Sequence, residues 1–384
     1  MTDRILFCHE MKAVDFMRGR NCYLWDSYGS RYLDLESGSW SAVLGHCNPR
    51  ITRCLRRALN DVTHLNVRYP NHLAGEAAER LLEAADIPNG KCVFLTSGSE
   101  AVEFAAQAAR RATGLPLFLS FENSYLGAFG TVYRKPPEEW RLIDPYAADI
   151  EGALRDIPFG RIAAFLLEPG GGSPSFVRFP RAELVQTVAA RVQNAGGLVV
   201  ANEVTTGLGR TGTWFGYQHY GIRPDIVAIG KALGNGYPVS GVAMSAEVAQ
   251  DLKSGSFHHA QSHQNNPLGC AVAREVLDAL REEGWIERGN ALGTAFLTRL
   301  RRFTEACPHV RETRGRGMLW ALELDGVQGA TGENIRDRLW EQRIITGYSP
   351  AKSPAGTGLR FDPALTLKER DLEPLEEFLE ELLA

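Results

Sequence analysis

Beyond about residue 92 the chain alternates short β-branched runs with helical stretches, and this alternation constrains its fold more than any other feature. "KCVFLTSGSEAVEFAAQAARRA", starting at Lys91, predicts a strand, a tight turn and an alanine-rich helix. "LPLFLSF" (Leu115–Phe121) and "RIAAFLLEP" (Arg161–Pro169) read as two further buried strands. "RAELVQTVAARVQNAGG" is a helix that closes on glycines and feeds a strand at Leu198–Ala201; "DIVAIG" and "GVAMS" follow. Strands separated by helices imply an α/β class, with a mostly parallel sheet covered on both faces. In such sheets the ligand crevice lies beyond the carboxyl ends of the strands. Thr96-Ser97-Gly98, Glu168-Pro169, Asn202-Glu203 and Lys231 all fall there, so four polar strand ends are expected to converge on one crevice.

The last third changes character. "HVRETRGRGMLWALELDG" predicts two antiparallel strands around Gly315-Arg316-Gly317. "TGENIRDRLWEQ" is a helix, "GLRFDPAL" a short strand and "LKERDLEPLEEFLEELLA" a closing helix. The N-terminal segment has short strands of its own in "CYLWDSYGSRYLDLESG". A smaller α+β domain built from both chain ends fits this order, with 1–50 and 271–384 forming it and 51–270 forming the large domain. A chain of 384 residues supports that division, since it exceeds one small core.

Composition removes several function classes. With 44% hydrophobic and 23% charged residues the chain is an ordinary globular one, and its net charge of −4 gives no footing for nucleic acid or an anionic membrane. No apolar run approaches the ~20 residues that span a bilayer. The first twenty residues carry acidic side chains and no long apolar segment, so no signal peptide is expected. The seven cysteines include no C-x-x-C pair and read as reduced thiols of a cytoplasmic protein.

Two strand ends carry recognisable chemistry. In "TSGSEAVE", Ser97 with Glu100 three residues on matches a capping box, and Gly98 allows close backbone approach. A helix start of this kind is either a plain cap or an anion site, for which phosphate is the natural guest. Lys231 directly after an apolar strand is either a surface lysine with a buried stem or a desolvated amine able to form a Schiff base with an aldehyde. Taken with Asn202 on the neighbouring strand end, the set supplies what pyridoxal phosphate requires: a phosphate site, an imine-forming lysine and a group for the pyridine nitrogen.

At these residues the chain resembles the class III aminotransferases of fold type I, on the compact acetylornithine/ornithine-aminotransferase-like branch. "ANEVTTGLGRTGTWFGYQHYGIRPDIVAIGKALGNGYPVSGVAM" looks very like that family's signature stretch. "QNNPLGCAVAREVLDAL", "VRETRGRGMLWALEL", "GLRFDPAL" and "YLDLESGSWSAVLGHCNPRI" resemble its other segments. The resemblance implies a large domain with a mostly parallel seven-stranded sheet, pyridoxal 5′-phosphate as cofactor, and amino transfer between an amino acid or amine and an oxo acid. It implies that Lys231 forms the Schiff base and shuttles the proton, and that Ser97, Gly98 and Ser99 hold the phosphate. Tyr125 would lie on one face of the pyridine ring and Val204 on the other, with strand periodicity placing Val204 on the same side as Asn202. Ser262 stands where the family has a threonine that reaches the phosphate of the neighbouring subunit, which implies a homodimer. Arg360 matches the arginine that grips the substrate carboxylate as a fork.

Several positions depart from the family. Asn202 replaces an aspartate that keeps the pyridine nitrogen protonated, which predicts a weaker electron sink. Thr205 replaces a glutamine at the cofactor's phenolic oxygen, Leu126 replaces a histidine, and a glutamate that gates the arginine in some branches falls near Ser173. Asn202 therefore leaves room for another reaction on the same frame, by a racemase or epimerase, a lyase or a decarboxylase. A non-catalytic cofactor-binding protein is a second alternative, opposed by the retention of both Lys231 and Arg360. His258, His259 and His263 lack a carboxylate or cysteine spaced to complete a metal site, so none is expected. Gly315-Arg316-Gly317 is either a turn or an anion loop, and Trp40 in "GSWS" either lines the substrate pocket or packs as ordinary core.

Overall fold

The computed structural model describes residues 4–6, 8, 11–170, 177–306, 310–324, 332–349 and 357–383. Its centre is a seven-stranded sheet. The strands in chain order are β1 (Lys91–Leu95), β2 (Leu117–Phe121), β3 (Trp140–Ile143), β4 (Ile162–Leu167), β5 (Leu198–Asn202), β6 (Ile226–Ile229) and β7 (Ser240–Met244). In space they run β1-β7-β6-β5-β4-β2-β3. β2 to β6 pair in parallel, and β7 runs antiparallel to both β1 and β6. Six strands therefore point the same way, and their carboxyl ends open on one edge.

The sheet is apolar on both faces because helices cover both. Along β4, Ala164 and Leu166 pack into one core cluster while Phe165 and Leu167 pack into another. The first cluster is closed by the helix Gly98–Thr113, which buries Ala101, Ala105, Ala106, Ala108 and Ala109. Small side chains let this helix lie close on the strands. The opposite face is closed by Ala182–Asn194 through Leu184, Val185, Val188 and Val192. The alternation of runs thus produces the expected doubly covered sheet.

Both chain ends share the smaller α+β part. Phe16–Arg20, Tyr23–Asp26 and Arg31–Asp34 form a sheet with Ile344–Ile345, which pairs in parallel with Arg31–Asp34. Val310–Arg316, Leu319–Leu324, Thr357–Phe361 and Gly347–Ser349 form a second four-stranded sheet. The turn of its first hairpin lies at Gly317, where φ is +54° and the backbone abuts residues 210–212. Gly315 and Arg316 are strand residues, and the Arg316 guanidinium packs 4.2 Å from the Phe179 ring centroid.

Fully buried Arg210 fastens these parts together. Its guanidinium donates to the carbonyls of Met318 (3.1 Å) and Pro363 and to Ser37 Oγ (3.1 Å). One side chain thus ties the loop after β5 to segments from both ends of the chain.

Candidate active site

The predicted strand ends do converge. At the end of β1, Ser97 caps the helix Gly98–Thr113, its Oγ accepting the Glu100 N–H at 3.2 Å. The other half of the expected box is shifted by one residue. The Glu100 carboxylate accepts the Thr96 N–H (2.9 Å) and hydroxyl (2.7 Å) rather than reaching the Ser97 backbone. Ser99 Oγ accepts the Ala128 N–H at 2.9 Å, tying the helix start to the loop that carries Tyr125.

Gly98 is required by a close approach. A Cβ there would lie 2.5 Å from a Val204 methyl, and one on Gly230 would lie 3.0 Å from the Gly98 Cα. The start of the helix, the turn after β5 and the residue preceding Lys231 therefore press on one another, and a side chain at either glycine would separate them. Val204 reaches this position by a route different from the one its spacing suggests. β5 ends at Asn202, and the chain then turns, with the Val204 N–H bonded to Asn202 Oδ1 at 3.2 Å.

Asn202 is buried, and its amide orientation is set on both sides. Oδ1 accepts from Val204, while Nδ2 donates to the Tyr125 carbonyl at 3.0 Å. The Tyr125 N–H is held by Glu168 Oε2 at 2.8 Å. The N–H and the carbonyl of Tyr125 are thus each fixed by a strand end, leaving the tyrosine side chain 44% exposed. Glu203, next to Asn202, has a structural role: it is fully buried and accepts the Gly216 and Tyr217 N–H groups (both 2.8 Å) and the Thr206 hydroxyl (2.7 Å).

Lys231 follows Gly230 on a short 3₁₀ turn and has φ +39°, an uncommon backbone state for a side-chain-bearing residue. Its Nζ lies 4.4 Å from the Trp40 ring centroid. Removal from water pushes its pKa down to about 8; Arg360 and Arg210 push the same way, while Glu168 and Asp362 oppose them. Burial likewise pushes Glu168 up to about 7, against the stabilising Tyr125 N–H, Lys231 and Lys135.

Arg360 lies in the strand Thr357–Phe361, 3% exposed, with its guanidinium carbon 3.8 Å from the same Trp40 ring centroid. Its Nε donates to Asp362 Oδ1 and its Nη2 to Glu36 Oε1, both at 2.6 Å. Gly347 on the adjacent strand makes room for it, since a Cβ there would sit 2.3 Å from Nη2. Trp40 is delivered by an unusual backbone, with φ positive at Ser37, Gly38, Ser39 and Trp40 in succession.

The structure thus unites Ser97, Gly98, Ser99, Tyr125, Asn202, Val204, Lys231, Trp40 and Arg360. Thr205 is nearby: its buried hydroxyl neighbours Glu168 but finds no hydrogen-bond partner of good geometry among the described residues. Ser262 stands apart, exposed on the loop before the helix Pro267–Glu282, and no hydrogen bond among the described residues joins it to the Lys231 group. Ser173 lies outside the described residues. Among those residues no cluster of three His, Cys, Asp or Glu side chains is arranged to hold a metal; His259 packs edge-on to Phe104 and His263 lies beside His64. Sequence reading missed Glu36 and Asp362 as partners of Arg360. Asp362 stands two residues from it in "RFDP", but nothing local in "LDLESGSW" points from Glu36 to a strand more than three hundred residues away.

The family model Aminotransferase class-III matches residues 8–132 and 146–383. The acetylornithine aminotransferase of Archaeoglobus fulgidus is 30% identical, covering 98% of this chain and 97% of that one. The [LysW]-aminoadipate semialdehyde/glutamate semialdehyde transaminase of Sulfolobus acidocaldarius is 28% identical, covering 96% and 95%. A solved structure of the ornithine aminotransferase of Toxoplasma gondii, with pyridoxal phosphate partially occupying its active site, matches at a TM-score of 0.85 and 28% identity, covering 98% of this chain and 92% of that one.

The Glu168–Lys231 coupling has a testable sign. Glu168 raises the lysine pKa, so Glu168→Gln lowers it further and makes more neutral amine available near neutrality. The pH midpoint for condensation of Lys231 with a small aldehyde, measured on cofactor-free protein, then moves to lower pH. An unmoved midpoint rejects the coupling.

Proposed function

We propose, given that this chain belongs to the class-III aminotransferase family and works with pyridoxal 5′-phosphate, that Lys231 is the residue that holds the cofactor's aldehyde and moves the proton of the reaction. The chain is a pyridoxal-phosphate-dependent transferase of amino groups, and nothing here favours a racemase, lyase, decarboxylase or non-catalytic binding protein. The observation that carries the assignment of Lys231 is its desolvated amine, with a pKa near 8, at a strand end pressed against a helix N-terminus.

The surrounding residues fit the cofactor. The capped helix start offers Ser97, Gly98 and Ser99 to a phosphate. Thr205 offers a buried hydroxyl that the protein's own groups leave without a well-formed bond. Tyr125 and Val204 would flank the ring. When bound, the cofactor supplies a carbonyl for the amine and an electron-withdrawing ring that eases loss of the proton from the substrate carbon. Lys231, neutral in an appreciable fraction near its pKa, accepts that proton at Nζ and returns it.

Asn202 would meet the ring nitrogen with a neutral amide. One Nδ2 hydrogen is committed to Tyr125, and an amide has a second to give, so it can serve an unprotonated nitrogen as donor. Arg360 would read a substrate carboxylate, with Trp40 as the pocket wall. The names of the relatives point to a donor whose reacting amine lies away from its carboxylate, with an oxo acid as acceptor. Ser262, exposed on one chain, would complete the neighbouring subunit's phosphate site in a homodimer. The large domain would span 51–270, with 1–50 and 271–384 forming the small one. The free cysteines among the described residues support a reducing, cytoplasmic setting. No helix among them is long and apolar enough to cross a membrane.

Borohydride reduction of the purified, cofactor-loaded protein followed by peptide mapping should mark Lys231; a label on another lysine overturns the assignment. Sedimentation of the loaded protein should give twice the chain mass of 42.3 kDa, and a stable loaded monomer removes the role of Ser262. Asn202→Asp sets a carboxylate oxygen against the Tyr125 carbonyl and loses a hydrogen bond, so the cofactor-free variant should be less stable by ~1–3 kcal/mol. A carboxylate can pair with a protonated ring nitrogen, so added cofactor should raise the melting temperature of the variant more than that of the parent. Equal increments would show that residue 202 does not meet the ring nitrogen.

A further inference from the structure

Arg360 does not present an open fork. Two carboxylates already hold it, and they differ in kind. Asp362 lies on its own chain segment, is fully buried and forms part of the wall. Glu36 comes from the far end of the chain, and its side chain keeps 27% exposure. It stands at the start of the left-handed run to Trp40 but makes no capping bond with its side chain, which is turned to Arg360 Nη2 instead. A carboxylate arriving from solvent would need that same nitrogen.

The neighbourhood limits how a second anion can enter. Around Glu36 stand Arg360 and Asp362 from the C-terminal strand and Asp34 on its own segment. Asp34 accepts the Glu36 N–H at 2.8 Å and meets His46 Nε2 at 2.6 Å. Arg210 and Lys231 lie in the next layer, both coupled electrostatically to Asp362 and Arg360. With Glu168 beside Lys231, four carboxylates thus face Arg360, Arg210 and Lys231, and an added substrate carboxylate would deepen the negative excess. Taking up a proton from water at Glu36 offsets the added charge, with no covalent bond to carbon made or broken.

From this geometry, and resting on the reading of Arg360 as the carboxylate site, we infer that Glu36 is a specificity-determining residue. It stands in for the substrate carboxylate on Arg360 while an amine without one reacts, and it leaves as the neutral acid when the oxo acid binds. Burial is the main force pushing the Glu36 pKa up, to about 7, so the required proton is accessible at neutral pH. The sign follows. Below that pH the neutral acid releases Arg360, and above it the charged carboxylate competes with substrate.

The test uses the loaded enzyme and glutarate, a dicarboxylate with no reactive carbonyl. Titration calorimetry in buffers of different ionisation heat counts the protons taken up on binding. The parent should take up a proton on binding above neutrality and lose up to about tenfold in affinity for each further pH unit. Glu36→Gln should bind without proton uptake, with a flattened pH profile and a lower KM for the oxo acid. Glu36→Ala, which removes the competing acceptor altogether, should share the flat profile. Proton uptake and pH slope unchanged in both variants would overturn the role of Glu36. Borohydride labelling of Lys231 in the same samples separates that outcome from a failure of the cofactor assignment, and loss of glutarate binding in Arg360→Lys, with labelling intact, separates it from a misplaced carboxylate site.

Discussion

Lys231 and Arg360 meet on a single indole, and the rest of the site is arranged around the cost of holding two cations there. Desolvation and mutual repulsion both disfavour the pair. The Trp40 face compensates by ~1–2 kcal/mol per desolvated cation, and Glu168 and Asp362 supply the opposing charge. The compromise is unequal by design of the chemistry. Arg360 cannot lose its proton, so desolvation in the first place, and repulsion after it, are expressed on Lys231, whose pKa falls into the range a proton carrier needs. Four consecutive residues of positive φ bring Trp40 within reach of both.

The sheet and its reactive edge were legible because they arise from local patterns. β-branched runs ending in Thr96-Ser97-Gly98, Glu168, Asn202 and Gly230-Lys231 specify both the strands and the edge at which they stop. Shorter or less regular elements were not legible. Trp140–Ile143 is a four-residue edge strand after two prolines, and Phe16–Arg20 has neither strict alternation nor a buried face. Pairings between distant segments, such as Glu36 with Arg360 or Arg210 with Ser37, leave no periodic trace because they depend on how whole layers stack. Val204 lies against Gly98, and its position follows from an Asx-type turn after β5 and not from strand alternation.

The substitutions at the tuning positions form a consistent set. An aspartate at 202 would oppose the Tyr125 carbonyl, so the asparagine and the tyrosine loop suit one another. Thr205 is too short to do what a glutamine would, and its hydroxyl is left beside Glu168. If Ser97, Lys231 and Arg360 act as proposed, the residues that would hold the cofactor and the substrate carboxylate are kept, while those that would set the electronics of the ring are neutral and small. Cofactor retention and reaction tuning would then rest on different residues, and the two could change independently.

Among the described residues β1 is joined to the central sheet through β7 alone: Leu95 pairs with Ser240 and Lys91 with Met244. On a growing chain the strand that ends at the Ser97 helix start is made early but has no neighbour until β7 has left the ribosome. Arg360 is made later still, so the crevice cannot be complete until nearly the whole chain has emerged. For much of synthesis the β1 edge is an unpaired strand of the kind that chaperones shield and aggregates recruit.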